Sequence, residues 1–146
     1  MAQTEIIVQS AKEMAKAGEM LAQETLEKRV HAPLIIGLKG ELGGGKTTFA
    51  QGFARGLGVK DKITSPTFVI FKKYSFDSGA FYHVDCYRIK GAADLAELDF
   101  AEILKSKENI VLIEWAEKIK EILPKNTLWI NFEYLDRTKR KIILWI

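Results

Sequence analysis

A chain of 146 residues, 47% apolar and 28% charged, suffices for one domain with one sizeable core and has the balance of an ordinary globular protein. Its net charge of +3, with both signs mixed along the chain, is no nucleic-acid footprint, although pI ≈ 8.9 leaves weak RNA contact open. No apolar run approaches the roughly 18 residues that span a bilayer; the opening Met-Ala-Gln-Thr-Glu has no signal core; and the single cysteine, Cys86, excludes an internal disulfide framework. The expected location is therefore the cytoplasm, with no membrane partner.

Glu5–Val8 reads as a short strand. Ser10 and Glu13 have the spacing of a capping box, and Met14, Ala17 and Leu21 recur at helical spacing towards Leu26, so a helix is expected there. Pro33 resets the chain before the apolar strand Leu34–Leu38. Phe49, Phe53 and Leu57 then form the single stripe of a second helix, in which Gly52 and Gly56 mark close packing and Gly58 the stop. Thr64–Thr67 is a turn. Phe68–Tyr74 and Phe81–Val84 are strands joined through Asp77–Gly79, a link too short for a parallel crossover and hence antiparallel. The acidic segment Asp94–Glu102 is expected to be helical, with Leu95, Leu98 and Ile103 turned inward. Ile110–Ile113 reads as a central strand, Ala116–Leu123 as a short helix stopped by Pro124, and Thr127–Tyr134 with Lys139–Ile146 as a closing hairpin. No repeat, low-complexity tract or linker interrupts residues 1–146, which are expected to form a single domain.

The chain is organised around Gly40-Glu41-Leu42-Gly43-Gly44-Gly45-Lys46-Thr47-Thr48, which has the P-loop pattern G-x-x-x-x-G-K-[ST] between an apolar strand and a helix. Glycines let backbone N–H groups approach phosphate without Cβ atoms in the way, and the helix start adds unpaired amides and a positive dipole end. Gly43, Gly44, Gly45, Lys46, Thr47 and Thr48 are therefore candidate nucleotide-binding residues. Lys46 would reach the β- and γ-phosphates, and the Thr47 hydroxyl would take a position on Mg²⁺. The bland alternative is a glycine-rich turn with a solvated lysine.

Such a site needs a further acid for the metal, at the tip of a hydrophobic strand. Glu114 follows Ile110–Ile113 and Asp85 follows Phe81–Val84, so both are candidate metal and catalytic residues. Each is alternatively an N-cap, and the residues alone do not say which acid binds metal and which acts on water. Thr67 is a candidate catalytic switch threonine or an ordinary turn hydroxyl. His83 shares a strand face with Asp85 and is expected to support it by hydrogen bonding, since no His/Cys cluster argues for zinc. Trp115 is expected beside the site. Of the five arginines, only Arg88 lies in a segment expected beside the phosphates.

The P-loop, Ser65-Pro66-Thr67-Phe68, His83-Val84-Asp85-Cys86-Tyr87-Arg88 and Ile113-Glu114-Trp115, in this order and spacing, resemble the TsaE (YjeE) family of small bacterial P-loop ATPases, over nearly the whole chain. The resemblance implies an α/β, three-layer P-loop NTPase fold with a mixed parallel and antiparallel sheet flanked by helices. It implies ATP or ADP with Mg²⁺ as cofactors, with phosphate and metal on Lys46 and Thr47, and Asp85 and Glu114 serving metal binding and hydrolysis beside Trp115. The implied partners are the proteins TsaB and TsaD, with which the family installs threonylcarbamoyl on the adenosine next to the anticodon of tRNAs reading codons that begin with A. tRNA would be reached through that complex. One departure is that Met14 stands where members often carry a threonine near the adenine, so the adenine contacts stay open, with Ser10 and Arg137 as candidates. Two other readings are a small nucleoside or metabolite kinase, for which no long basic lid insertion lies between Thr48 and Glu114, and a nucleotide-sensing adaptor marked by tight ADP binding.

Overall fold

The computed structural model describes residues 3–28, 32–41, 43, 45–64 and 70–145. The elements are β1 (Gln3–Val8), α1 (Ala11–Lys28), β2 (Leu34–Gly40), α2 (Lys46–Leu57), β3 (Phe71–Phe76), β4 (Gly79–Asp85), α3 (Phe100–Lys105), β5 (Asn109–Glu114), β6 (Leu128–Tyr134) and β7 (Arg140–Trp145). Two 3₁₀ segments, Ala92–Leu98 and Ala116–Ile122, complete the chain. Among the described residues the seven strands form one sheet in the order β1-β7-β6-β2-β5-β4-β3. β6, β2, β5 and β4 are mutually parallel, while β7 and β3 run antiparallel at the flanks and β1 pairs antiparallel with β7. The expected mixed sheet with flanking helices is the observed architecture.

Continuous apolar sequence fits a strand covered on both faces, and β5 is buried from Asn109 to Glu114 between β2 and β4. One face carries α2, whose stripe of Phe49, Phe53 and Leu57 is buried with Ile36, Leu38, Ile110, Leu112 and Phe132. α1 packs on α2 at backbone distance. A Cβ on Gly18 would lie 2.2 Å from the Phe49 carbonyl oxygen, and one on Gly52 would lie 1.9 Å from that of Ala15. Only glycine permits this approach, and it brings the start of α1 beside the loop that precedes α2. Behind Leu57 the chain stops in a Schellman motif at Gly58, whose φ is 90°, with the Val59 N–H donating to the Ala54 carbonyl at 3.1 Å.

The other face is covered by α3 and the 3₁₀ segments, which bury Leu95, Phe100, Leu104 and Ile119 against Ile35, Val84, Val111 and Ile113. The acidic segment is not one helix: the chain turns through a left-handed residue, Asp99 (φ 52°), between the 3₁₀ segment and α3. Beyond that break Phe100 is buried, and Leu98, expected inward, closes the 3₁₀ segment at 37% exposure. The segment after β5 is likewise 3₁₀, kinked at Ile119. β3 starts at Phe71 and runs on to Phe76, while Phe68 and Val69 lie outside the described residues. Among the described residues no helix is long and apolar enough to cross a membrane.

Candidate functional site

The four parallel strands end at one edge, where open α/β sheets place their ligands. Gly40 closes β2, Glu114 closes β5, and Asp85 closes β4 in register with Glu114. β1 delivers Gln9 and Ser10 to the same edge, because Val8 pairs with Arg140. Between them lies a cavity of about 730 Å³, within the range of small-molecule sites. Gly43, Gly45, Lys46, Thr47 and Thr48 form its floor; Asp85, Glu114 and Trp115 line one wall; Ser10, Met14, Arg137 and Arg140 are among the residues of the other. The cavity thus brings together Ser10, the described loop residues from Gly43 to Thr48, Asp85, Glu114, Trp115 and Arg137. Gly44 and Thr67 lie outside the described residues, as does the rest of the Ser65–Val69 stretch.

The loop is built for close approach. Gly43 and Gly45 have φ of 80° and 96°, which side chains avoid, and a Cβ on Gly45 would meet the Met14 methyl at 2.7 Å. Gly45 opens α2, its carbonyl accepting from the Phe49 N–H at 2.9 Å. Lys46 folds back under the loop. Its ammonium donates to the carbonyls of Gly40 (2.9 Å) and Glu41 (2.8 Å) and sits 4.2 Å from the centre of the Trp115 ring. Only 5% of the residue is exposed, and this burial holds its pKa below the ordinary lysine value against the pull of Glu117, Glu114, Asp85 and Glu41. Trp115 reaches over it because its own backbone is left-handed (φ 60°), turning the chain directly after β5.

The two acids sit differently. Glu114 is 3% exposed, and both of its oxygens are engaged: Oε1 accepts from the Thr47 hydroxyl at 2.8 Å, and Oε2 lies 2.6 Å from His83 Nε2. His83 therefore supports Glu114 and not Asp85 as expected. Alternation does put His83 and Asp85 on one face, but the parallel register sets Glu114 beside them from the next strand. Asp85 is half-buried, and its Oδ1 accepts from the Tyr87 N–H at 2.9 Å, so it caps the following turn while lining the cavity. Next to it the Cys86 thiol is fully buried, and burial, helped by the Asp85 charge, pushes its pKa up to about 12.

The basic side of the site differs from expectation. Arg88 does not line the cavity; Arg137 and Arg140 do. The β6–β7 turn is held by Asp136, whose Oδ1 accepts from the N–H groups of Thr138 (2.9 Å) and Lys139 (2.8 Å), bonds that keep its carboxyl below the usual range. From this turn Arg140 donates to the Gly43 carbonyl at 2.8 Å through Nε and to the Asp136 carbonyl at 2.6 Å, while its guanidinium covers Tyr134 at 4.3 Å. Arg140, Tyr87, Gln9 and Thr138 were not singled out from sequence. Leu135-Asp136-Arg137-Thr138, which joins the two strands of the expected hairpin, carries no local sign of what the turn faces. At the start of α1 the Ser10 hydroxyl accepts from the Glu13 N–H at 3.1 Å, as the capping box requires, and Glu13 returns to the Gln9 N–H at 3.1 Å.

These residues fit a phosphate chain with a hard cation. The loop offers backbone N–H groups without Cβ atoms, a lysine is in reach, and the donors beside it are a hydroxyl and carboxylates, which suit Mg²⁺. Among the described residues no group of three or more His, Cys, Asp or Glu could hold a metal ion. Fold and site together define an α/β protein organised on a strand–glycine loop–helix unit of the P-loop pattern, at the carboxyl edge of a mixed sheet.

Comparison with known proteins makes this specific. The model of the family "Threonylcarbamoyl adenosine biosynthesis protein TsaE" matches residues 8–142, and the chain belongs to that family. A Haemophilus influenzae protein named tRNA threonylcarbamoyladenosine biosynthesis protein TsaE is 34% identical over 84% of this chain and 77% of its own. A protein of the same name from Aquifex aeolicus is 32% identical over 97% of this chain and 95% of its own. The crystal structure of Bacillus subtilis YdiB superposes with a TM-score of 0.72 at 31% identity, covering 98% of this chain and 84% of that one.

Proposed function

We propose that this chain binds and hydrolyses ATP with Mg²⁺ and that its turnover serves threonylcarbamoylation of tRNA, in the cytoplasm, together with TsaB and TsaD. Family membership supports the pathway. The observation that carries the chemistry is the Thr47–Glu114 hydrogen bond at the foot of the glycine loop, with Lys46 beside it. A P-loop helix whose first hydroxyl is tied to a buried strand-tip acid is the arrangement that metal-assisted phosphoryl transfer needs.

In this reading Gly43, Gly44, Gly45 and Thr48 cradle phosphate through backbone N–H groups. Lys46 leaves the Gly40 and Glu41 carbonyls for the β- and γ-phosphates, exchanging two neutral acceptors for charged ones. Thr47 would offer its oxygen to the metal while its O–H keeps donating to Glu114 Oε1. The metal supplies charge neutralisation on the transferring phosphoryl group. Asp85, half-exposed across the cavity, acts on the attacking water, with Thr67 a further candidate there. The start of α1 at Ser10 and the turn at Arg137 flank the space left for the nucleoside, and Trp115 covers the phosphate side. Arg140 is already committed to the loop and turn carbonyls. The isolated chain is therefore slow, and the partners supply what completes the site.

The test is steady-state phosphate release with TsaB and TsaD titrated in. Stimulation by partner groups in P-loop systems is on the order of 10³–10⁵ when an arginine is donated, so even partial assistance is plain. Full-speed turnover by the isolated chain, unchanged by partners, overturns the partner dependence. Absence of any Mg-ATP binding overturns the nucleotide reading.

A further inference from the structure

His83 is the one fully buried imidazole among the described residues, and it does not line the cavity. It sits in β4 beside Leu112 of β5, nearly parallel to the Phe81 ring at 6.4 Å between centroids. Its Nε2 meets Glu114 Oε2 at 2.6 Å, and its Nδ1 has no hydrogen-bond partner among the described residues. A polar ring buried with one nitrogen unpaired costs stability that a phenylalanine or leucine in the same pocket would not. Packing alone therefore does not account for it.

Geometry does. A glutamate held by one oxygen swings about its terminal torsion, which is broad and soft. Here both oxygens are held from different elements, Oε2 by β4 through His83 and Oε1 by α2 through Thr47. The Thr47 hydroxyl spends its hydrogen on Oε1, so its lone pairs are left for a cation on the loop side. We propose that His83 is a positioning residue: its Nε2–H fixes the carboxylate of Glu114, which in turn fixes the direction in which Thr47 presents its oxygen to the metal. This rests on the reading of Thr47 and Glu114 as the metal side of a nucleotide site. It extends that reading to a group that touches neither metal nor nucleotide.

Two measurements decide it. The chain has two histidines, so a long-range ¹H–¹⁵N spectrum of the nucleotide-free protein, assigned with His31→Gln, reads the His83 tautomer directly. The expected form is Nε2–H; an Nδ1–H ring overturns the proposal whatever the protein binds. The second measurement compares His83→Gln, whose amide nitrogen stands near the place of Nε2, with His83→Leu, which fills the pocket without a donor. ADP affinity without Mg²⁺ is expected to stay within about twofold in both, while the Mg²⁺-dependent gain in affinity falls by about 10–100-fold in the leucine variant and largely returns in the glutamine variant. A leucine variant that keeps the gain, or a folded glutamine variant as damaged as leucine, overturns the positioning role. If the leucine variant fails to fold, the glutamine variant and the tautomer carry the decision. A wild type without Mg²⁺-dependent ADP binding overturns the nucleotide reading instead, and the tautomer still decides the His83–Glu114 bond.

Discussion

Two neighbouring strands end in an acid after an apolar run, and the two acids have different surroundings. At the tip of β5, Glu114 is buried and held from both sides by Thr47 and His83. At the tip of β4, one pairing position across, Asp85 is half-buried, caps the turn at Tyr87 and faces the cavity. The difference follows from what covers each tip. α2 starts over β5 and brings a hydroxyl to the carboxylate, whereas the chain leaving β4 passes into a turn at Tyr87, which is exposed and has its ring 5.2 Å from that of Trp115. A fixed, desolvated carboxylate suits orientation of a metal ligand, and a hydrated one suits contact with water. The same local sequence pattern thus yields two chemical environments, decided by the neighbouring element.

The comparison breaks first at Glu114. Glu114→Ala is expected to lower partner-stimulated phosphate release by about 10–100-fold, the range for loss of a group that orients a metal ligand. A loss under tenfold would return Glu114 to a structural cap. On the β4 side, Cys86 supplies a pH test. Its thiol ionises near the ordinary value of 9.0 when unfolded and near about 12 when folded. Between those values the unfolded chain binds fewer protons, so stability is intact below pH 9 and falls as pH rises, by at most about 4 kcal/mol and by about 2 kcal/mol at pH 10.5. Urea unfolding at pH 8 and 10.5 should show this extra loss in the wild type and not in Cys86→Ala. Equal slopes would mean that the thiol titrates alike in both states.

Smaller effects sharpen the contrast. Lys46→Ala removes a charge-assisted phosphate contact worth about 1.5–3 kcal/mol, so the melting temperature should rise clearly less with Mg-ATP while the fold survives. A variant stabilised as much as the wild type would dismiss the lysine. Trp115 fluorescence should report the same event, because the ring now carries the Lys46 ammonium at 4.2 Å. The smallest expected change is in Asp85→Asn. Nucleotide affinity should change by no more than about threefold, since one exposed side-chain hydrogen bond contributes about 0.5–1.5 kcal/mol and the asparagine keeps an acceptor for the Tyr87 N–H, while turnover falls further. Equal loss of both would make Asp85 a turn cap and no more.

Much of this site was legible in the chain. The glycine spacing, the apolar run into Glu114 and the Phe49–Phe53–Leu57 stripe are local patterns, readable from neighbouring residues alone. What could not be read depends on register and on breaks within a segment. Strand alternation placed His83 with Asp85 but could not show that β5 pairs so that Glu114 is the nearer carboxylate. Arg140 faces the loop because the Asp136 turn fixes the hairpin and β1 pairs beyond it, a long-range arrangement with no local sign. Leu98, expected inward with Leu95, is the last residue of the 3₁₀ segment, directly before the left-handed Asp99, and lies at the surface.

The most direct test of the metal-side role of Glu114 is a calorimetric titration of ADP with and without Mg²⁺ in the wild type and in Glu114→Gln. Glutamine keeps the shape and an acceptor for Thr47, so the glycine cradle should retain its Mg²⁺-free affinity within about threefold, and the part of the affinity that Mg²⁺ adds should fall by about tenfold or more. A variant that loses Mg²⁺-free affinity to the same extent, or that keeps the whole Mg²⁺-dependent gain, would contradict the separation between a loop that holds phosphate and an acid that orients the metal ligand.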